Sequence, residues 1–454
     1  MTDPSGVTRA LARFVAGAGW NDIPERVRHE AKRSLLNFFG TALAGCREEP
    51  IEIALSSLAE FSRGPQATII GRTERVDALS AAFLNAASAN VFDFDDTHLR
   101  TVIHPTAPVA PALLALSETQ PVSGPDLLLA FILGVEVACR VGNALGPEHY
   151  ARGWHITSTC GVFGSAAAAS KLLRLDAERM IAAIGSAATQ SSGLVECLGT
   201  AAKSVSVGNS ARQGLWSALL AQRGFGGPAA PLEGRQGYFS AVGARPDWAA
   251  LSNALGESWE LMQNAYKPYP AGVVVHPVID AVLELRATHA FAPESVSRIV
   301  VRGHPLLSAR TNRPQVTTGR EAQVSVQHSV AAALLFGQAG LAQFTDACVR
   351  DPAVAALRSK VEVVEDSTIA VDAAAVQIRT ADGKERGTTV PHARGSIARP
   401  MTDRDIEDKV LALATRWHAG HDVRPLIDAV WSLDRAADAS AVLRLAVPNE
   451  RAPG

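Results

Sequence analysis

Ala, Leu and Val return every three to four residues through eight successive stretches of the first two thirds of the chain, and no other feature restricts its fold as much. The stretches are Arg9–Ala16, Val27–Ala44, Asp77–Asn90, Ala107–Ser117, Pro125–Ala144, Val162–Leu172, Ala177–Gly193 and Ser210–Gln222. This spacing predicts a helix for each. Turn residues punctuate them at Gly64-Pro65, Ser123-Gly124-Pro125 and Gly224-Phe225-Gly226-Gly227-Pro228. Alanine-rich runs such as Ser165–Ala169 let backbones approach closely, which suits helices packed inside a large all-helical core.

The pattern changes near Pro268. Ile299–Val301 and Val361–Val364 are short and rich in β-branched residues, and Val376–Arg379, Asp382-Gly383 and Thr388–Val390 read as a hairpin around a tight turn. Helical patterns at Pro277–Ala287 and Ser325–Phe336 lie among these strands. Thr402 with Asp405 reads as a helix start, and helical periodicity then runs to the end. A chain of 454 residues exceeds what a single core usually serves. The expectation is a mainly α protein: a helical main domain over 1–268, a smaller α+β domain over 269–398, and a helical tail over 399–454 that rejoins the first. The cleft between two such domains is the default ligand site.

Charge excludes some partners. Lys and Arg total 43 against 45 Asp and Glu, which gives no electrostatic footprint for nucleic acid or an anionic membrane. The five cysteines, Cys46, Cys139, Cys160, Cys197 and Cys348, are scattered and form no Cys-x-x-Cys pair, so a thiolate zinc site or iron–sulfur cluster is not expected. Free thiols and an amino terminus without a signal-peptide pattern suit the cytoplasm. The apolar run Leu127–Val141 is short for a membrane span and carries Glu136 and Arg140 one turn apart, as a buried helix of a soluble protein would.

Polar residues in such an apolar chain are the informative ones. The densest group is Asp93-Phe94-Asp95-Asp96-Thr97-His98-Leu99-Arg100-Thr101-Val102-Ile103-His104-Pro105. It is either a helix cap with solvated neighbours, a metal site built on Asp93, His98 and His104, or an acid/base cluster. In Arg152-Gly153-Trp154-His155-Ile156-Thr157-Ser158-Thr159-Cys160, a histidine precedes small hydroxyl residues and a long helix, whose N-terminus suits a carboxylate. Cys160 is either structural or a nucleophile there. Lys203 stands alone among small residues in Gly199–Asn209, ahead of another helix. It is either a solvated group or a functional ammonium. Tyr266-Lys267-Pro268-Tyr269-Pro270, with His276-Pro277, falls at the domain boundary, and Gln327-His328 opens an apolar helix where a core histidine is the usual reading.

The chain lacks a phosphate loop, a dinucleotide glycine fingerprint, a Gly-x-Ser-x-Gly elbow and a His-Glu-x-x-His helix. What remains is His, Lys and Asp, a palette for proton abstraction next to a carbonyl or carboxyl group with cations holding the developing anion.

The same residues resemble the MmgE/PrpD family over nearly the whole chain, from about residue 10 to 440: the Asp93–Thr97 run with His104-Pro105, Gly153-Trp154-His155, Gly199-Thr200 with Lys203 and Gly208-Asn209, Lys267-Pro268-Tyr269-Pro270 with His276-Pro277, and Ser325–Leu335. The resemblance implies a helical main domain with an α+β lid, a homodimer, and an enzyme without metal or organic cofactor. The substrate class it implies is a small di- or tricarboxylate. It assigns His104, Lys203 and His155 as catalytic residues, and Asp93, Thr97, Lys267 and His328 as substrate-binding residues. His104 and Lys203 then share the proton transfers.

Three positions depart from the family pattern. His328 stands where its decarboxylases carry tyrosine, Gly272 where they carry a further histidine, and His98 where tryptophan often follows. These departures argue against the substrates of the family's named dehydratase and decarboxylase alike and for a related polycarboxylate; the expected activity is a dehydratase-type lyase. The alternatives are an epimerase or isomerase, a decarboxylase, and a carboxylate-binding protein without turnover.

Overall fold

The computed structural model describes residues 6–448, which divide into two compact units. The first comprises residues up to Val91, Asp95–Asn264 and the chain from Asp403 onward; the second comprises Phe92–Phe94 and Ala265–Thr402.

The first unit is helical. Its main elements are α1 (Val7–Gly17), α2 (Glu25–Gly45), α3 (Glu49–Ala59), α4 (Ala78–Asn90), α5 (Thr106–Ser117), α6 (Gly124–Leu145), α7 (Pro147–Ala151), α8 (Ile156–Leu172), α9 (Ala177–Ala188) and α10 (Ala202–Gln222). Sequence sets several starts: the side chains of Asp77, Ser123 and Asp176 accept from the backbone N–H three residues on, capping α4, α6 and α9. Helix α8 packs against α5, α6 and α10, and α10 in turn against α4. Small residues make this possible. A Cβ at Gly134 would lie 2.7 Å from the Gly164 carbonyl, and one at Gly164 would lie 2.6 Å from the Gly134 carbonyl, so the α6 and α8 backbones touch.

Helix α6 is long and apolar enough to cross a membrane, yet it is buried inside this unit. Its two charges form a buried pair, Arg140 Nε to Glu136 at 2.6 Å. The guanidinium also donates to the Ala250 and Asn253 carbonyls at 3.2 and 2.8 Å, and Glu136 accepts from the Glu260 N–H at 2.8 Å. Helix Asp403–Trp417, from the part of the chain that returns to this unit, lies along α2, tied by Arg33 and His29 to Asp403 and by Lys409 to the Asn37 side chain.

The second unit holds a four-stranded sheet in the order Val361–Glu365, Val296–Gly303, Ala374–Thr380, Glu385–Val390. The first pair is parallel and the other two antiparallel. The last two strands form the hairpin expected around Asp382-Gly383, with Gly383 at φ +80°. Helix His276–Thr288 packs on this sheet and on helix Val326–Phe336, which Ser325 caps. Their shared core includes Val278, Ile279, Val282, Ile299, Val330 and Ile378.

Three helix bounds differ from the spacing. Helix α8 begins at Ile156, six residues earlier than expected, and α10 begins at Ala202 and takes in Lys203. Both extensions bury hydroxyls, Thr157, Ser158 and Thr159 in α8 and Ser204 in α10, which in sequence resemble loop. Helix α9 stops at Ala188 because residues 193–195 run extended beside 153–155: the His155 N–H donates to the Gly193 carbonyl and the Val195 N–H to the Gly153 carbonyl.

Candidate active site

Four of the seven proposed site residues, Thr97, His104, His155 and Lys203, belong to the first unit, and three, Asp93, Lys267 and His328, to the second.

In the first unit the 95–106 segment is built on buried acids. Asp95 Oδ2 accepts from the Asn90 amide at 2.8 Å, and its Oδ1 lies 3.0 Å from His104 Nδ1. That approach is at hydrogen-bond distance but off linear alignment, a geometry common in active sites before substrate arrives. Asp96 accepts from Thr106 at 2.5 Å and from Asn264 at 2.6 Å, and burial pushes its carboxyl up to about 7. Thr97 is buried, and its hydroxyl has no hydrogen-bond partner among the described residues. Val102, two residues before His104, has φ +56°, a strained setting for a β-branched side chain. Its turn is closed by the His98 N–H on the Ile103 carbonyl at 2.7 Å. The His104 N–H donates to Thr157 Oγ1 at 3.1 Å, which ties this segment to the start of α8.

His98 itself is a strut. Thr101 holds its Nδ1 at 2.7 Å and Glu260 its Nε2 at 3.0 Å, which leaves no ring nitrogen for a metal ion and removes it from the ligand set considered above.

His155 is the N-cap residue of α8 and Lys203 sits in the first turn of α10; they are 3% and 8% exposed. Hydroxyls join them. His155 Nδ1 lies 2.8 Å from Ser158 Oγ and 3.3 Å from Ser206 Oγ, and Ser206 donates to the Lys203 carbonyl at 2.8 Å. A Cβ at Gly193 would lie 2.8 Å from Ser158 Cβ, so the strand beside His155 demands glycine. The neighbouring His149 ring stacks on Trp154, and burial lowers it to about 4, so it stays neutral. Cys160 is structural: burial pushes its thiol up to about 12, far from a nucleophilic thiolate.

In the second unit Lys267 Nζ donates to the Asp93 carbonyl at 2.8 Å and lies 2.9 Å from its carboxylate. Asp93 is held at φ +51°, an uncommon conformation that brings both oxygens to the lysine. His328 lies in this unit's core, 0% exposed, with Nε2 2.7 Å from the Gln343 carbonyl and its ring against Phe344. Burial lowers its pKa. This is the core-histidine arrangement that the residues alone favoured. His276, buried nearby, contacts the Ala271 carbonyl at 3.1 Å and the edge of Tyr269.

Asn90 is a site neighbour that sequence reasoning did not single out, and Asp95, Thr157, Ser158 and Ser206 lay inside the quoted runs without a role of their own. The run of hydroxyls after His155 was the only signal.

The sequence matches the MmgE/PrpD N-terminal domain over residues 9–251 and the MmgE/PrpD C-terminal domain over residues 269–435. Cis-aconitate decarboxylase from Homo sapiens is 30% identical over 97% of this chain and 94% of its own length. The enzyme of that name from Mus musculus is also 30% identical, over 97% and 93%. The Aspergillus terreus (strain NIH 2624 / FGSC A1156) enzyme is 29% identical, over 97% and 96%. Matches to both domains in order, with similarity running the length of the chain, place this protein in the MmgE/PrpD family.

Proposed function

We propose that this enzyme is a cofactor-independent lyase that removes water from a small di- or tricarboxylic acid, starting with proton abstraction next to a carboxylate. The observation that carries the reading is the first unit's set of buried basic residues: His104 against Asp95, His155 against Ser158, and Lys203, whose backbone carbonyl accepts from Ser206. Buried basic groups suit an anionic substrate, and the buried Thr97 hydroxyl supplies a polar contact that awaits a partner.

In the proposed reaction, His104 and Lys203 divide the proton transfers. One takes the proton from the carbon beside the carboxylate, and cationic neighbours hold the charge that develops on the carboxylate oxygens. The C–O bond at the adjacent carbon then breaks, the hydroxyl leaves as water with a proton from the other group, and a C=C bond forms. His155 is the third catalytic residue. Asp93, Thr97 and Lys267 bind substrate carboxylate or hydroxyl groups, Lys267 by exchanging part of its contact with Asp93 for substrate. His328 enters as a core residue that shapes the second unit.

Decarboxylation of the same class of acid is the second reading, favoured by the names of the relatives. Against it, the imidazole at 328 is committed to a backbone carbonyl, and Gly272 carries no side chain. Proton NMR in deuterated water against citrate, 2-methylcitrate, cis-aconitate, itaconate, malate and iminodisuccinate separates the readings. Dehydration gives an unsaturated acid with all carboxylates retained, decarboxylation gives one fewer, and epimerisation gives deuterium wash-in without net loss. No exchange or product with any of these acids would count against the reading.

Chelation should leave turnover unchanged. Loss on treatment with EDTA and recovery with added divalent metal would replace this mechanism with a metal-assisted one.

A further inference from the structure

We infer that Ser158 and Ser206 fix the tautomer of His155, so that the neutral ring carries its proton on Nδ1 and its lone pair on Nε2. The inference rests on His155 acting in turnover and specifies which of its nitrogens does so.

The argument is a count of protons along a chain of hydrogen bonds. It begins at the Lys203 carbonyl, which can only accept. Ser206 Oγ lies 2.8 Å from it, so the single hydroxyl proton of Ser206 points there. Ser206 and Ser158 are 2.7 Å apart. With the Ser206 proton committed, Ser158 must be the donor of that bond, and its own single proton is then spent. His155 Nδ1 lies 2.8 Å from Ser158 Oγ and 3.3 Å from Ser206 Oγ. Neither hydroxyl has a proton left to give, so the bond exists only if Nδ1–H donates. The neutral ring is thereby left with its lone pair on Nε2.

The Ser210 hydroxyl lies 2.9 Å from the Ser158 carbonyl and 3.0 Å from the Ser206 carbonyl, which ties α8 to α10 at the two serines. The His155 N–H is held by the Gly193 carbonyl at 3.0 Å. The ring also stands at the positive end of α8, where a neutral imidazole is favoured over an imidazolium. A ring so prepared meets substrate through Nε2 as an acceptor, and only as imidazolium would Nε2 donate to a carboxylate. Ser158 and Ser206 are therefore positioning residues, and the relay passes through the backbone of Lys203, the residue proposed to share the proton transfers.

The test is a two-bond proton–nitrogen correlation spectrum of the full-length protein labelled with ¹⁵N-histidine, with His155 assigned from the signals lost in His155→Gln. The expected result for the unsubstituted protein is a protonated Nδ1 and an unprotonated Nε2. Ser206→Ala releases the Ser158 proton to face His155, so the spectrum should shift toward the opposite tautomer. The kcat should fall by about tenfold or more with little change in KM, since a wrong tautomer damages the chemical step rather than binding. Ser206→Thr, which keeps the hydroxyl, should restore both. An Nε2-protonated ring in the unsubstituted protein would overturn the inference without any variant having to fold. Ser206→Ala with an unshifted spectrum, or with a shifted spectrum and unchanged kcat, would overturn it too. Full kcat in His155→Gln would instead remove His155 from the proposed mechanism, and the spectrum would still report the tautomer.

Discussion

Replacing Lys203 with alanine is expected to lower kcat by roughly two to four orders of magnitude, the range a positioned proton-transfer group supplies, while the protein stays folded. The second half of that expectation comes from where the lysine sits. Lys203 is buried in the first turn of α10, at the positive end of a 21-residue helix. A cation there opposes the helix dipole by about 0.3–1 kcal/mol, and burying an ammonium adds a desolvation cost. Both effects oppose folding, so Lys203→Ala is expected to keep a cooperative unfolding transition under assay conditions. Steady-state kinetics beside a urea titration read both halves. Turnover within a few-fold of the unsubstituted enzyme at saturating substrate would remove Lys203 from the mechanism, and a large loss of stability would recast it as structural.

The second large effect is expected at Arg140. Removing its side chain leaves Glu136 buried without its cation, and strips the Ala250 and Asn253 carbonyls of their donor. Breaking one side of a buried pair costs about 3–5 kcal/mol, so Arg140→Ala should lose that much stability at neutral pH. Burial already pushes the Glu136 carboxyl up to about 7, with Arg140 pulling the other way. A raised carboxyl binds protons more tightly folded than unfolded, so its contribution to stability is greatest at low pH and is lost as pH rises through the folded value. Without Arg140 the raise grows, and the deficit of the variant should narrow toward pH 5 and widen above pH 7. Glu136→Gln/Arg140→Met should recover part of the loss. A deficit that ignores pH, or a double variant no better than the single one, would assign the effect to packing alone.

How far the sequence announced this protein depends on which way its side chains face. Apolar periodicity marked α2, α4, α5 and α6 closely, because most of their buried residues are apolar. It failed at the starts of α8 and α10, where the buried residues are Thr157, Ser158, Thr159 and Ser204. Hydroxyls inside a helix satisfy themselves locally and look like loop in a one-dimensional pattern. The site shows the same division. Residue types that advertise chemistry, Asp93, His104, His155, Lys203 and Lys267, were visible as candidates. Their neighbours were not: no spacing rule links Asn90 to Asp95, or Ser206 to His155 across 51 residues. His98 illustrates the converse, a conspicuous residue whose two nitrogens are both used to brace a turn.

The contact of α6 with α8 at Gly134 and Gly164 bears on how enzymes built this way can diversify. Where two helices meet glycine to backbone, with only alanine methyls and Val109 beside the contact, there are few rotamers to rearrange, so the helix resists drifting by fractions of an ångström to suit another molecule. His155 inherits those fixed coordinates. New preferences for one acid over another then have to be written in segments without such a seam, 95–104 and 196–201, where a changed loop alters what is recognised and leaves the position of the catalytic helix untouched.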